Sequence, residues 1–239
     1  MMNEKLISFL NIMSNALAQN LKNISAQIKK TAQQVNRAPT EVCLLVVTKT
    51  ISAEQIQKIL DLGITNLGEN RVQEADGKFP LLRGNFTKHL IGHLQTNKAK
   101  MAAEIFDIIH SIDSIRIALA LEKACAELDK ILRVFIEVNL SGETTKFGVH
   151  ANFKNDKNLQ ELISEIKKMP HLKLVGLMTV PPPVSTQEEN RPFFRELKKL
   201  ANKFQLSELS MGMSGDYSIA IEEGATIVRL GSAIFGERR

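Results

Sequence analysis

The chain has 239 residues, with 31 Lys+Arg against 26 Asp+Glu and a net charge of +5. A length of roughly 240 residues suits one α/β domain that buries about three quarters of its unfolded surface without staples. The basic excess lies in isolated pairs such as Lys29-Lys30 and Lys198-Lys199, and there is no Trp and one Tyr, so it reads as solvated helix faces rather than a nucleic-acid track.

Residues 4–35 carry Leu6, Leu10, Met13, Leu17, Leu21, Ile24, Ile28 and Val35 at helical spacings, which predicts one long amphipathic helix. It is expected to occupy residues 1–38 and to pack on a barrel formed by 40–239, the whole being one domain. Pro39-Thr40 ends the pattern, and the texture changes. Eight short apolar runs follow at 42–48, 64–67, 88–92, 108–112, 132–140, 172–179, 208–211 and 226–230. Helical patterns alternate with them at 53–62, 70–79, 95–104, 114–128, 156–168, 187–204, 215–223 and 232–238. Ser52 before Ala53-Glu54 is an N-terminal signal, and Gly63 and Gly224 stand where helices end. Eight strand–helix alternations in this length predict a single (β/α)8 barrel, with a doubly wound sheet as the competitor.

Cys43 and Cys125 both fall inside apolar patterns, which excludes a disulfide framework and implies a reducing compartment. The longest apolar run, 42–47, is far short of a membrane span. The N-terminal segment lacks the apolar stretch of a signal peptide. A cytoplasmic location, with no membrane partner, is expected.

Each apolar run ends in polar or small residues that a strand interior does not need. The first ends Thr48-Lys49-Thr50, the second Gly68-Glu69-Asn70-Arg71, and the seventh Ser210-Met211-Gly212-Met213-Ser214. The eighth ends Arg229-Leu230-Gly231-Ser232. In a barrel these ends converge on the face where active sites lie, and the loops after the last two strands often bind phosphate. Ser210, Gly212, Ser214, Gly231 and Ser232 offer hydroxyls and closely approaching N–H groups to an anion, with Ser214 and Ser232 as candidate helix caps. They are also ordinary turn residues. Lys49 at the end of an apolar strand is either a desolvated amine fit to attack a carbonyl or a solvated lysine. Arg229 on the last strand needs a carboxylate or a ligand heteroatom as acceptor. His89 and His93 lie on a strand and its following turn, where their spacing does not build a metal site.

The stretches Leu44–Thr50, Gly68-Glu69-Asn70-Arg71-Val72-Gln73-Glu74 and His89–Lys98 occur in order. They are followed by Val138-Asn139 with Lys146-Phe147-Gly148, Gly176-Leu177-Met178-Thr179, Leu209–Asp216 and Val228–Gly236. In these the chain resembles the pyridoxal 5′-phosphate homeostasis protein family from about residue 40 to its end, departing from it at Thr48, Lys88 and Ser232. The resemblance implies a single barrel like the N-terminal domain of alanine racemase, the type III fold of pyridoxal 5′-phosphate (PLP) proteins. It implies PLP held as a Schiff base on Lys49, with Ser210, Gly231 and Ser232 on the phosphate and Met211 and Ser214 shaping that loop. Arg229 would face the pyridine nitrogen and Asn70 the cofactor's face. Lys146 would be a neighbouring amine for handover.

An arginine opposite the pyridine nitrogen disfavours its protonation and weakens the ring as an electron sink. Racemization also needs a second acid–base group, which the racemase relatives take from a tyrosine on an extra domain. The sole tyrosine here, Tyr217, follows the phosphate loop. The expectation is therefore a PLP carrier, without established turnover, that serves PLP-dependent apoenzymes and binds no nucleic acid; a monomer is expected, with a dimer as the alternative. The alternatives are a narrow amino-acid racemase and a cofactor-free aldolase using Lys49.

Overall fold

The computed structural model describes residues 4–143, 145–183 and 186–236, with side chains from residue 16 onward. Eight strands run parallel: β1 Cys43–Val47, β2 Asn66–Glu69, β3 Thr87–Leu90, β4 Ile108–Ile112, β5 Leu132–Asn139, β6 Leu172–Met178, β7 Glu208–Ser210 and β8 Ile227–Leu230. Each pairs with the next, Ile109 of β4 lies opposite Val134 of β5, and β8 returns to β1 with Arg229 opposite Leu45. The sheet therefore has no free edge, and the expected eight-stranded barrel is present. The strands are covered on both faces, which is why they read as near-continuous aliphatic runs rather than alternating ones.

The helices are α1 Glu4–Gln34, α2 Ala53–Asp61, α3 Val72–Lys78, α4 Ala99–Ile105, α5 Ile115–Glu127, α6 Lys157–Ile166, α7 Arg191–Lys203, α8 Tyr217–Glu222 and α9 Ser232–Phe235. Ser52 caps α2 as its sequence suggests, accepting from the Gln55 N–H, and Gly63 closes it at φ +90°. The last helix is shorter than the 232–238 pattern, whose residues 237 and 238 lie outside the described residues. β2 begins two residues later than its apolar run because Ile64 still bonds back to Ile59 O at the helix end. A parallel pair at Val149–His150, beside the end of β5, is an addition the sequence did not signal.

Two apolar layers hold the fold together. Inside the barrel, Leu45, Ile108, Phe135, Val175, Met178 and Ile227 form one cluster. A much larger one fills the space between strands and helices, with Ile56, Leu67, Leu90, Phe106, Leu121, Phe194 and Leu230 fully buried. Each such side chain contributes about 1.5–3 kcal/mol. α1 joins the outer layer through Leu17, Leu21, Ile24 and Ile28 and lies against α8, α9 and α2. Asn20 Nδ2 donates to Ile234 O, and Arg37 donates to Ile221 O and Ala225 O, each at 2.9 Å. Cys125 is buried in α5, whereas Cys43 at the start of β1 is half-buried. No helix among the described residues is long and apolar enough to cross a membrane.

Candidate functional site

At the C-terminal end of the barrel strands lies a pocket of about 380 Å³. Six of the eight residues expected at a site line it: Lys49, Asn70, Ser214, Arg229, Gly231 and Ser232. Lys49 comes from the turn after β1, Asn70 from the end of β2, and the last four from β8 and the loops after β7 and β8. Val47, Ile91, Val180, Met213 and Gly215 complete the wall.

Ser210 and Met211 do not line the pocket. Both are fully buried. On a strand successive side chains alternate, so Ser210 turns into the barrel and Met211 out into the helix-facing core, where it is found. The methionine at the pocket is Met213. Gly212 between them stands at φ +93°, and a Cβ there would come within 2.5 Å of Ala220 Cβ. That left-handed residue turns the chain so that Met213 and Ser214 reach the site, and it is the signal in Met211-Gly212-Met213 that discriminates the two methionines.

Ser214 does not cap the helix that follows it. Its Oγ accepts from the Gly231 and Ala233 N–H groups at 3.4 and 3.2 Å, so it caps α9 across space. Two accepted bonds leave the Ser214 proton to be donated. Asn70 is held by its backbone: a Cβ at Gly92 would lie 2.2 Å from Asn70 O, so only glycine permits the approach of the two loops. Asn70 Oδ1 is buried and has no hydrogen-bond partner among the described residues.

Arg229 is buried in the barrel, and burial brings its guanidinium down to about 10, with Glu137 and Asp216 opposing that fall. Nη1 donates to Ser210 Oγ and Nη2 to Thr179 O, both at 2.9 Å. Beneath it runs a chain of buried polar groups. Ser210 Oγ meets His110 Nδ1 at 2.9 Å, His110 Nε2 meets His89 Nδ1 at 2.9 Å, and His89 Nε2 meets Asn66 Oδ1 at 3.1 Å. Asn66 Nδ2 donates to Thr65 Oγ1, which turns Oδ1 toward the imidazole. Burial keeps both histidines neutral, His89 down to about 3 and His110 well below its ordinary value, with nearby cationic groups adding to the effect. The protons are then fixed in sequence. His89 carries its proton on Nε2, His110 carries its own on Nε2, and Ser210 donates to His110 Nδ1. Every bond in the chain points away from Arg229, so the chain presents an oxygen lone pair to the guanidinium. Phe135 stacks on His110 at 4.4 Å and closes its other face.

Glu137, on β5, is a further buried group that the sequence did not mark. Burial raises its carboxyl to about 7, against the pull of Arg229. Lys146 lies outside the pocket and pairs with Glu143 Oε1 at 3.1 Å. It lines an adjoining cavity of about 610 Å³ that shares Val180, Met213 and Gly215 with the first. His89 and His93 are separated as expected: His89 is inside the barrel, whereas His93 stacks on Phe147 at 3.9 Å and pairs with Asp113. Tyr217 packs against the outer core and does not line the pocket.

A closed eight-stranded parallel barrel with a pocket at its strand ends is the architecture of the alanine racemase class, and comparison with known proteins agrees. The sequence profile of the alanine racemase N-terminal domain matches residues 15–239. A pyridoxal phosphate homeostasis protein of Aquifex aeolicus is 39% identical over 228 residues, covering 92% of this chain and 98% of that protein. One of Escherichia coli is 37% identical over 237 residues, covering 94% and 97%. PipY of Synechococcus elongatus, solved without and with PLP, is 32% identical, with TM-scores of 0.81 and 0.80 over 92% of this chain and 100% of that one. An alanine racemase of Clostridium difficile shares the fold at 13% identity and a TM-score of 0.70, this chain covering 57% of it. The chain belongs to the alanine racemase N-terminal domain family and, within it, to the pyridoxal phosphate homeostasis proteins.

Proposed function

We propose that this chain binds PLP as a Schiff base on Lys49 and holds it for handover to PLP-dependent apoenzymes, without turning over an amino acid. The observation that carries the reading is the convergence of Lys49, Arg229 and the loops after β7 and β8 on one pocket of about 380 Å³. The relatives are named for PLP homeostasis, and PipY is described with PLP bound.

The residues fit the cofactor in kind. Ser214 has a proton to donate, and Gly231 and Ser232 bring the start of α9 to the same wall, which suits a phosphate. The unpartnered Asn70 Oδ1 suits a hydroxyl or another donor on the ring. When bound, PLP supplies an aldehyde carbon that condenses with a primary amine. Lys49 would be the residue whose amine takes that carbon, with loss of water.

Arg229 has donors only, so a ring nitrogen facing it stays unprotonated and the ring is a weak electron sink. Tyr217 is away from the pocket wall and supplies no second acid–base group there. Both features favour a carrier over a racemase. The test mixes the PLP-loaded protein with a PLP-dependent apoenzyme and follows recovery of that enzyme's activity. Transfer from the wild type and none from Lys49→Ala supports the carrier. Inversion of a single L-amino acid, seen by chiral analysis, would establish the racemase instead.

A further inference from the structure

The segment that presents Lys49 is gripped on both sides by three polar side chains of β2 and α3. Lys78 Nζ donates to Thr48 O at 2.9 Å and to Glu69 Oε1 at 3.1 Å, and it pairs with Glu74 Oε1 at 2.5 Å. Thr48 Oγ1 donates to Glu69 Oε1 at 2.7 Å. On the far side of Lys49, the Thr50 N–H donates to Glu74 Oε1 at 2.5 Å. Glu69 is fully buried, and Glu74 and Lys78 stand one turn apart on α3. Thr50 adopts φ +65°, a left-handed conformation that a β-branched residue avoids. Such strain persists only where the surroundings over-determine it, and it gathers at functional positions.

We infer that Glu69, Glu74 and Lys78 form a clamp that aims Lys49, and that Glu74 and Lys78 are positioning residues for its covalent bond. The inference rests on the reading of Lys49 as the residue that bonds PLP. None of the three lines the pocket, so they act through the backbone of residues 48–50. Glu74 is suited to this: burial opposes its ionisation, but the Lys78 and Thr50 bonds outweigh that and hold its carboxyl below the ordinary range. It thus remains an anion that can bind an amide and an ammonium together. Once the grip is released, Thr50 relaxes to an ordinary conformation and the direction of the Lys49 side chain changes with it. Ser214, Gly231 and Ser232, the residues proposed for the phosphate, come from the loops after β7 and β8 and make no contact with the clamp.

The clamp therefore separates bonding from holding. Glu74→Ala and Lys78→Met should each weaken PLP about 10-fold or more, since small misplacements of a reacting group are costly. Both should bind 4′-deoxypyridoxine 5′-phosphate, which lacks the aldehyde, within about twofold of the wild type. Glu74→Gln keeps an acceptor and should recover part of the PLP loss. Thr50→Asn in the Glu74→Ala background should recover part of it as well, because asparagine tolerates the left-handed region. Hydrogen exchange at the Thr50 amide, slow in the wild type, should become fast in Glu74→Ala before any PLP is added. Equal weakening of PLP and the analogue would overturn the clamp, as would PLP bonding in Glu74→Ala at the wild-type level. A wild type that binds the analogue yet never bonds PLP overturns the reading of Lys49 and the clamp's purpose with it.

Discussion

Arg229 rests on Ser210: its Nη1 donates to Ser210 Oγ at 2.9 Å, and the hydroxyl is buried beneath the guanidinium rather than at the pocket wall. The serine on the seventh strand, expected on the phosphate, thus holds the arginine. Ser210→Ala should lower stability by about 2–3 kcal/mol, because a charge-assisted bond is lost and His110 Nδ1 loses its donor. It should leave the affinity for inorganic phosphate nearly unchanged. Ser214→Ala should weaken phosphate several-fold. Urea denaturation and phosphate competition against PLP measure the two effects. Equal loss of phosphate affinity in both variants would return Ser210 to the anion site.

The two buried histidines carry a definite proton pattern. In 15N spectra His89 and His110 should both be protonated at Nε2 and unprotonated at Nδ1, and neither should titrate as the pH falls from 7 to 5. A proton on Nδ1 of His110 would reverse the chain, free the Ser210 hydroxyl, and remove its alignment toward Arg229.

Glu137 supplies a pH signature of opposite sign to that of an ordinary carboxylate. Its folded value, about 7, lies above the unfolded value near 4.5. The folded state therefore keeps a proton that the unfolded state has lost, and its contribution to stability is full below about pH 4.5 and declines as the pH rises through 7. The difference between the two limits is about 3 kcal/mol. Glu137→Gln should gain stability relative to the wild type between pH 5 and pH 8, as read by denaturation midpoints at the two pH values. A difference independent of pH would show that Glu137 is ionised throughout.

Gly92 has no room for a methyl group, since its Cβ would meet Asn70 O at 2.2 Å and two further Asn70 backbone atoms at 2.8 Å. Gly92→Ala should displace the Asn70 loop, lower stability by about 1–3 kcal/mol, and weaken PLP more than Ser210→Ala does. Parallel denaturation and PLP titration check both. An unchanged PLP affinity would show that Asn70 does not touch the cofactor.

The barrel was legible because parallel strands covered on both faces leave aliphatic runs that helical patterns cannot imitate. Ser52 and Gly63 marked the ends of α2 by local chemistry alone. The pocket's lysine, asparagine and arginine were legible for a related reason, since each is a polar residue at a strand end, where no packing demand explains it. The two expected residues that do not line the pocket, Ser210 and Met211, lie where strand alternation meets a left-handed glycine. The face each side chain takes there depends on where β7 stops. The histidine chain and the Glu69–Lys78–Glu74 clamp were not legible. Each joins residues from different strands or from a strand and a helix, such as His110 and Ser210, 100 positions apart, and no local pattern encodes that contact.

The central claim is that Lys49 bonds PLP covalently, and its most direct test is the absorption spectrum of the purified protein with PLP, before and after borohydride reduction, beside Lys49→Ala. The account predicts a visible band in the wild type that reduction converts into a permanent adduct on the peptide containing Lys49, with no band and no adduct in the variant. A protein that stays colourless after PLP is added, or an adduct that persists in Lys49→Ala, would contradict it.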